Sequence, residues 1–462
     1  MSEPNQQPPK WRKLLLKACN IFCVAFYGLA LILLYVWTAD KFPETDIPQR
    51  DVPSPNAYRF YTLAGSLIPN IDKIEQATAA RRNATAGKPT SPAYSAVDKA
   101  ALIKKNRNAL DLVHEGFAYK CLAPDEPYLE ADKESDRDRG MLCRIAYLLV
   151  LDGQVKAAQG DWTASVNSDI DAIRVGTDSE QRAGMSGFRA GRACEAVGRR
   201  PLWGAVDHLN AQQARTAIAR LQSVLDNAPT YADALTVEQG AIQTALPKNG
   251  NIVFLSALMP NQYAHGSLKH RAELFYAPKS TIMRDLTAYT DAEIARVRQP
   301  YALRSRERLY PGDFVTWLFV GSWTNAESAR SPLYSETMCR TQNALLITTF
   351  ALRAFYAEHS KFPDTLSQLA SAYLRAVPSD PFAANAPLQY HRVGSKYVLY
   401  SIGPDGKDDG GNPAVHVFKD PQNDLWYAQH PWIIREKTVP HHSYYIDPND
   451  TGDVVAGINN MN

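Results

Sequence analysis

The sequence predicts a mainly α protein. Its parts are a single N-terminal transmembrane helix, an ectodomain of helical hairpins packed as a bundle or TPR-like array, and a small C-terminal α+β unit. Three observations carry this. Ala18 to Ala39 is one apolar run behind a basic flank. Arg139 to Leu225 places apolar residues at helical spacing. Near the C-terminus, Tyr397-Val398-Leu399-Tyr400-Ser401 runs into Ile402-Gly403-Pro404-Asp405-Gly406 and then Lys407-Asp408-Asp409-Gly410-Gly411, a strand that ends in an acidic turn.

The 462 residues leave room for two or three domains, and 45% hydrophobic with 21% charged residues is ordinary for a globular chain. A net charge of +2 gives no reason to expect a nucleic-acid partner. The 30 prolines outnumber the 25 glycines, as expected of helices joined by stiff turns.

The apolar run is long enough to cross a bilayer as a helix. Lys10, Arg12, Lys13 and Lys17 precede it; Asp40, Glu44 and Asp46 follow it. The positive-inside rule then keeps the N-terminus in the cytoplasm and exports the rest, which places the chain in the inner (cytoplasmic) membrane as a single-pass protein. Trp11, Tyr35 and Trp37 stand at the expected interfaces. A cleaved signal peptide fits less well, because the apolar core is too long and Trp37 would occupy a small-residue position.

In order, the expected division is 1–40 for cytoplasmic tail and anchor, 41–56 for a proline-marked spacer, 57–330 for the helical ectodomain, 331–430 for the α+β unit, and 431–462 for a tail without a single structure beyond Tyr445. Within the ectodomain, Tyr58, Tyr61, Leu63, Leu67 and Ile71 suggest one helix, and Val97 to Phe117 another. Met141, Ile145, Leu148, Leu149 and Leu151 mark a third, broken by Gly160-Asp161-Trp162 and continued by Val166, Ile170 and Ile173. That break resembles the turn of one tetratricopeptide unit; a plain helical hairpin with Trp162 in its core is the other reading. Helices also fit Glu180 to Val197, Pro201 to His208, Ala211 to Leu225, Ser280 to Arg298 and Ser331 to Ser360. Phe314 to Val320 is too short to span a bilayer and reads as core. Candidate strands are Leu388 to Arg392, Lys396 to Ser401 and Val415 to Phe418.

Among the cysteines, Cys19 and Cys23 share a face of the anchor. Cys121, Cys143, Cys194 and Cys339 would be exported, where four thiols allow three connectivities. Cys121 with Cys143 is the pair nearest in sequence and the first expectation; four free buried cysteines is the alternative.

The order Phe355-Tyr356-Ala357-Glu358-His359-Ser360-Lys361-Phe362-Pro363, Val377-Pro378-Ser379-Asp380-Pro381-Phe382, then Leu399 to Asp409 resembles the C-terminal part of the major pseudopilin of type II secretion, over roughly Glu336 to Tyr427. The resemblance implies calcium in the Gly-Pro-Asp-Gly loop. Asp405 matches the first acidic ligand, Asp424 the later one, and the carbonyl of Leu399 or Tyr400 the backbone oxygen, with Asp408 and Asp409 as further candidates. Calcium takes about six to eight hard oxygens from a flexible loop, so the residue types suit it; a solvated acidic turn suits them equally. The resemblance fails at the other end. Gly28 is followed by Leu29-Ala30-Leu31-Ile32-Leu33 with no Glu, so no prepilin-peptidase site is present and pilus assembly is not expected. In layout the chain also resembles uncharacterised membrane-anchored bacterial proteins of planctomycete type, with a helical middle and this C-terminal motif.

No P-loop, dinucleotide fingerprint, G-x-S-x-G elbow or H-E-x-x-H occurs. Asp169 and Asp171 are two apart and diverge on a helix, so they form no acid/base dyad. His265 with His270, and His441-His442, read as surface histidines, and Arg81-Arg82 and Arg199-Arg200 as solvated faces. The expectation is a noncatalytic envelope protein, a scaffold for partners with a possible calcium cap. Two alternatives stand beside it: a secretion-related component, and a hydrolase whose catalytic groups come from distant loops.

Overall fold

The computed structural model describes residues 10–45, 51–69, 71–84, 94–124, 131–258, 278–304, 332–384, 386–414, 446 and 448–458. The protein is mainly helical. Two compact units are distinguished. The smaller comprises Met1–Ile47, Ile242–Tyr289 and Tyr310–Gly321; the larger comprises Pro48–Ala241, Thr290–Leu309 and Ser322–Asn462.

In the smaller unit, α1 (Lys10–Ala39) is one uninterrupted helix. Among its described side chains Ile21, Phe22, Val24, Phe26, Leu29 and Leu31 are all exposed. Just past its end, Asp40 Oδ2 accepts the Lys279 N–H at 2.7 Å, and Lys279 Nζ reaches the Asp40 carbonyl at 2.6 Å. Among the described residues no helix is long and apolar enough to cross a membrane. Several α1 side chains lie outside that set, Ala30, Ile32, Leu33 and Leu34 among them.

The larger unit begins with α2 (Ala57–Ser66), followed by α3 (Ile71–Ala84), α4 (Ala96–Lys105) and α5 (Arg107–Gly116). The single helix expected from Tyr58 to Ile71 is two. Pro69 cannot donate a helical N–H, and the chain restarts at Ile71. The helix expected over Val97 to Phe117 also divides. Asn106 leaves helical geometry at φ −105°, ψ 19°, and spends its side-chain amide on the Leu102 carbonyl at 2.8 Å.

Helices α6 (Ala131–Ala158), α7 (Trp162–Ser179) and α8 (Met185–Ala205) form the densest layer. The turn between α6 and α7 is what its sequence requires. Gly160 takes a left-handed φ of 83°, and the Asp161 side chain caps α7 by accepting the Ala164 N–H at 2.9 Å. So short a turn makes the pair antiparallel. Trp162 is half-buried against the core and stacks on His208 with ring centroids 3.7 Å apart. Helices α7 and α8 approach through glycine. A Cβ on Gly191 would lie 2.7 Å from the Gly176 carbonyl oxygen, and one on Gly198 would lie 2.6 Å from that of Asp169. Pro201 does not open a new helix as expected, but lies inside α8. Buried Arg199, Leu202 and Ala205 hold both sides of the lost bond in place.

Then come α9 (Ala211–Leu225), α10 (Tyr231–Leu258), α11 (Lys279–Val297) and α12 (Pro332–His359), of which α10 from Ile242 on and α11 up to Tyr289 belong to the smaller unit. Pro332 opens α12, a position where its missing N–H costs nothing. Helix α12 is buried on almost all sides, which its threonines permit: Thr337, Thr341, Thr348 and Thr349 each donate to the carbonyl four residues back at 2.8–2.9 Å. Two helix starts are capped from elsewhere in this unit. Glu238 Oε2 of α10 accepts the Met185 N–H of α8 at 3.0 Å, and Glu336 Oε2 of α12 accepts the Tyr231 N–H of α10 at 3.2 Å.

The described strands form one antiparallel sheet in the order β1 (Gln389–Val393), β2 (Lys396–Ser401), β3 (Val454–Val455). Gln389 pairs with Tyr400, and Ser401 with Val454. The first two strands match expectation. The segment 415–418 lies outside the described residues, as does Phe314 to Val320. The tail corrects the expectation of no structure beyond Tyr445. Ile446 is fully buried and its carbonyl accepts the Tyr334 hydroxyl at 2.7 Å, while Val454 and Val455 bury themselves as the third strand.

Candidate functional site

The acidic loop leaves β2 at Ser401. Its base is fixed by Asp380, only 1% exposed. Asp380 Oδ1 accepts the Phe382 N–H at 2.9 Å and the Ser401 hydroxyl at 2.6 Å, and Oδ2 accepts the Ile402 N–H at 2.9 Å. The Asp380-Pro381 turn and the strand end are thus one knot. Burial raises the Asp380 carboxyl, and these donors oppose the rise. Gly403 follows at φ 71°, and a Cβ there would stand 2.5 Å from the Gly452 carbonyl oxygen. Only glycine lets the loop lie against the chain entering β3.

Of the expected calcium ligands, Asp405 turns in: Oδ1 accepts the Lys407 N–H at 3.1 Å, and Oδ2 is shielded from solvent without a hydrogen-bond partner. Asp408 is engaged, its Oδ1 accepting the Tyr400 hydroxyl and the Gly410 N–H, each at 2.9 Å. Burial and then this carboxylate push the Tyr400 phenol up. The Leu399 carbonyl accepts the Ala456 N–H at 2.9 Å in the sheet. The Asp409 side chain is exposed. Asp424 lies outside the described residues.

Sequence reasoning missed Asp453. It is fully buried, with Oδ1 accepting the Asp409 N–H at 3.3 Å and Oδ2 the Gly411 N–H at 2.7 Å. Burial pushes its carboxyl up to about 6; the two N–H donors pull back, and Asp408 and Asp409 push further. Its only sequence signal is the Gly452-Asp453 pair before two β-branched residues. Among the described residues no three His, Cys, Asp or Glu side chains are gathered closely enough to hold a metal ion.

A second polar concentration lies among α7, α8 and α12. Arg192 Nη2 is 2.9 Å from Glu180 Oε2, a charge contact poorly angled for a hydrogen bond, and its Nη1 is 3.2 Å from Glu195 Oε2. The Cys339 thiol donates to Glu195 Oε2 at 3.0 Å, and Arg199 Nη1 donates to the Cys339 sulfur at 3.0 Å. Arg199 is therefore buried, not on a solvated face as expected. Burial raises Glu180 well above the carboxylate range against the pull of Arg192. Burial also pulls the Arg192 guanidinium down, but Glu195 and Glu180 more than reverse it. The neighbouring groove is lined by Phe188, Arg189, Arg192, Pro332 and Ser335 among others, and brings no nucleophile together with a base.

Asp169 and Asp171 diverge as expected. Burial, then Asp152, raises Asp169, while Asp171 pairs with Arg220 at 2.6 Å. Cys143 has Cys194 as its neighbour, with sulfurs 3.8 Å apart, which displaces the expected Cys121 partner. Cys121 lies buried near Asp178, its thiol pushed up by that burial. His265, His270, His441 and His442 lie outside the described residues, as do the side chains of Arg81 and Arg82. Compared with family models, curated proteins and solved structures, the chain finds no match.

Proposed function

We propose that this chain is a noncatalytic cell-envelope protein. Helix α1 anchors it in the cytoplasmic membrane with the N-terminus inside, and the exported helical ectodomain serves protein partners. One observation carries the reading: α1 is a continuous 30-residue helix whose described large apolar side chains are exposed all around it. At about 1.5 Å per residue it is roughly 45 Å long, enough to cross a hydrocarbon core of about 30 Å. In water such a surface would be costly; in lipid it is matched. The test is a reporter fused after Asn462, active only outside the cytoplasm. Activity on the cytoplasmic side would overturn the reading.

Calcium at the acidic loop is part of the same proposal. The solvent-shielded, unpartnered Oδ2 of Asp405 supports it, as does the negative charge of Asp408 and Asp409 acting on Asp453. The occupied oxygens of Asp408 and Asp453 mean that a cation would find a shell it must rearrange.

A second reading is a component related to type II secretion, with residues 331–430 as a pseudopilin-like unit. The Asp380 knot favours it, because it joins the Asp-Pro turn and the Gly-Pro-Asp-Gly loop through one side chain. Copurification of the full chain with secretion proteins separates this reading from an independent scaffold.

A further inference from the structure

We propose that Cys143 and Cys194 form a disulfide that staples α6 to α8. The two sulfurs are 3.8 Å apart on helices that pack directly against each other. A disulfide bond is about 2.05 Å long, so closure asks for less than 2 Å of movement, within reach of small side-chain rotations. The bond would enclose α7, since the two cysteines are 51 residues apart, and a closed loop of that length is removed from the freedom of the unfolded chain.

The two thiols are also unequal in the way the chemistry needs. Cys194 is fully buried and Cys143 only partly so. The Cys194 S–H points at the Cys143 sulfur; that contact lowers the Cys143 thiol despite burial and raises Cys194. Cys143, the more accessible of the two and the one whose thiol is lowered, is therefore the sulfur that first meets an oxidant. The oxidant is a disulfide, either glutathione disulfide or an envelope dithiol oxidoreductase. The Cys143 thiolate attacks one of its sulfurs, forms a mixed disulfide and releases the first thiol. The Cys194 sulfur, losing its proton, attacks Cys143 Sγ and expels the second. Two protein thiols lose two hydrogens, and one external disulfide becomes two thiols. The remaining exported cysteines are placed differently: Cys121 is buried apart, and Cys339 is held between Glu195 and Arg199.

In the cell this pairing rests on the exported location, but its test does not. The purified full chain in detergent is equilibrated with glutathione buffers of graded ratio, alkylated, and mapped by mass without reduction. The expected product is one linked pair of peptides carrying Cys143 and Cys194, two hydrogens lighter, in a chain that melts several degrees higher than the reduced form. Cys143→Ser should abolish both changes. Cys339→Ser and Cys121→Ser should keep the linkage, which guards against a fold lost at Cys194→Ser. Two thiols still free in fully oxidised buffer, or a Cys121–Cys143 link, would overturn the pairing. If the pair links in vitro but is reduced in chain isolated from cells, the pairing stands and the exported location falls.

Discussion

Asp169 sits fully enclosed on α7, and burial beside Asp152 lifts its carboxyl well above the usual range against the pull of Lys156. In the unfolded chain an aspartate titrates near about 3.9. A raised folded value means that folding favours the protonated acid. The stability it contributes is complete below the unfolded value and is lost as pH rises through the folded one. Asp169→Asn keeps the shape and removes the charge. At a pH of about 8 it should melt no lower than the parent, and its stability should fall less between weak acid and weak alkali. A steeper fall would show that the ionised carboxylate is welcome there. At the acidic loop, calcium should raise the melting temperature of the full chain, by about 2.7 kcal/mol of added stability at roughly a hundredfold excess over the dissociation constant. Magnesium, with its stricter octahedral demand, should do less. Asp405→Ala should remove the difference; no response to millimolar calcium would leave the loop a solvated turn.

At the scale of elements, the α7–α8 crossing depends on missing side chains. A Cβ on Gly191 would meet Glu180 Cγ at 2.3 Å as well as the Gly176 carbonyl. Gly191→Ala gains helix propensity but forces the backbones apart, and overpacking of this kind costs about 1–3 kcal/mol. Urea unfolding should show that loss, while Gly140→Ala, which meets nothing within 4 Å, should show none. The sequence carried part of this. Gly191 and Gly198 are seven apart and so share a face of α8, yet nothing marked Gly176 as the partner of the first or Asp169 as that of the second. Helices α11 and α12 were legible almost to the residue, because periodic apolar positions and a proline at the start state both type and limit. The β1–β2 hairpin was legible for a similar reason. Two features were not. Arg199 read as solvated because charge at a helical position says nothing about which neighbour will cover it, and it is buried. Val454–Val455 is too short to show a period, and its polar surroundings read as a tail. Asp453 was lost with it, and with it the buried half of the candidate site.

For the whole molecule, the decisive property is how the chain is held. If α1 is an anchor, the protein should stay in the membrane pellet through alkaline carbonate washing and leave only with detergent. Replacing Val24 and Leu29, both exposed on α1, with lysine should release it, since a charge at mid-helix costs about 2.5–3.5 kcal/mol on insertion scales. Release of the parent chain by the wash would show a peripheral attachment. The late arrival of β3 bears on synthesis. The chain emerges in order, so β1 and β2 can pair as a local hairpin at once, while Tyr400 and Ser401 wait for Val455 and Val454. During that interval β2 has an open edge, a ready template for any other extended chain. Slowed translation between the two strands would lengthen the wait, so poor yield of this protein should track the rate of elongation there, even with every residue unchanged.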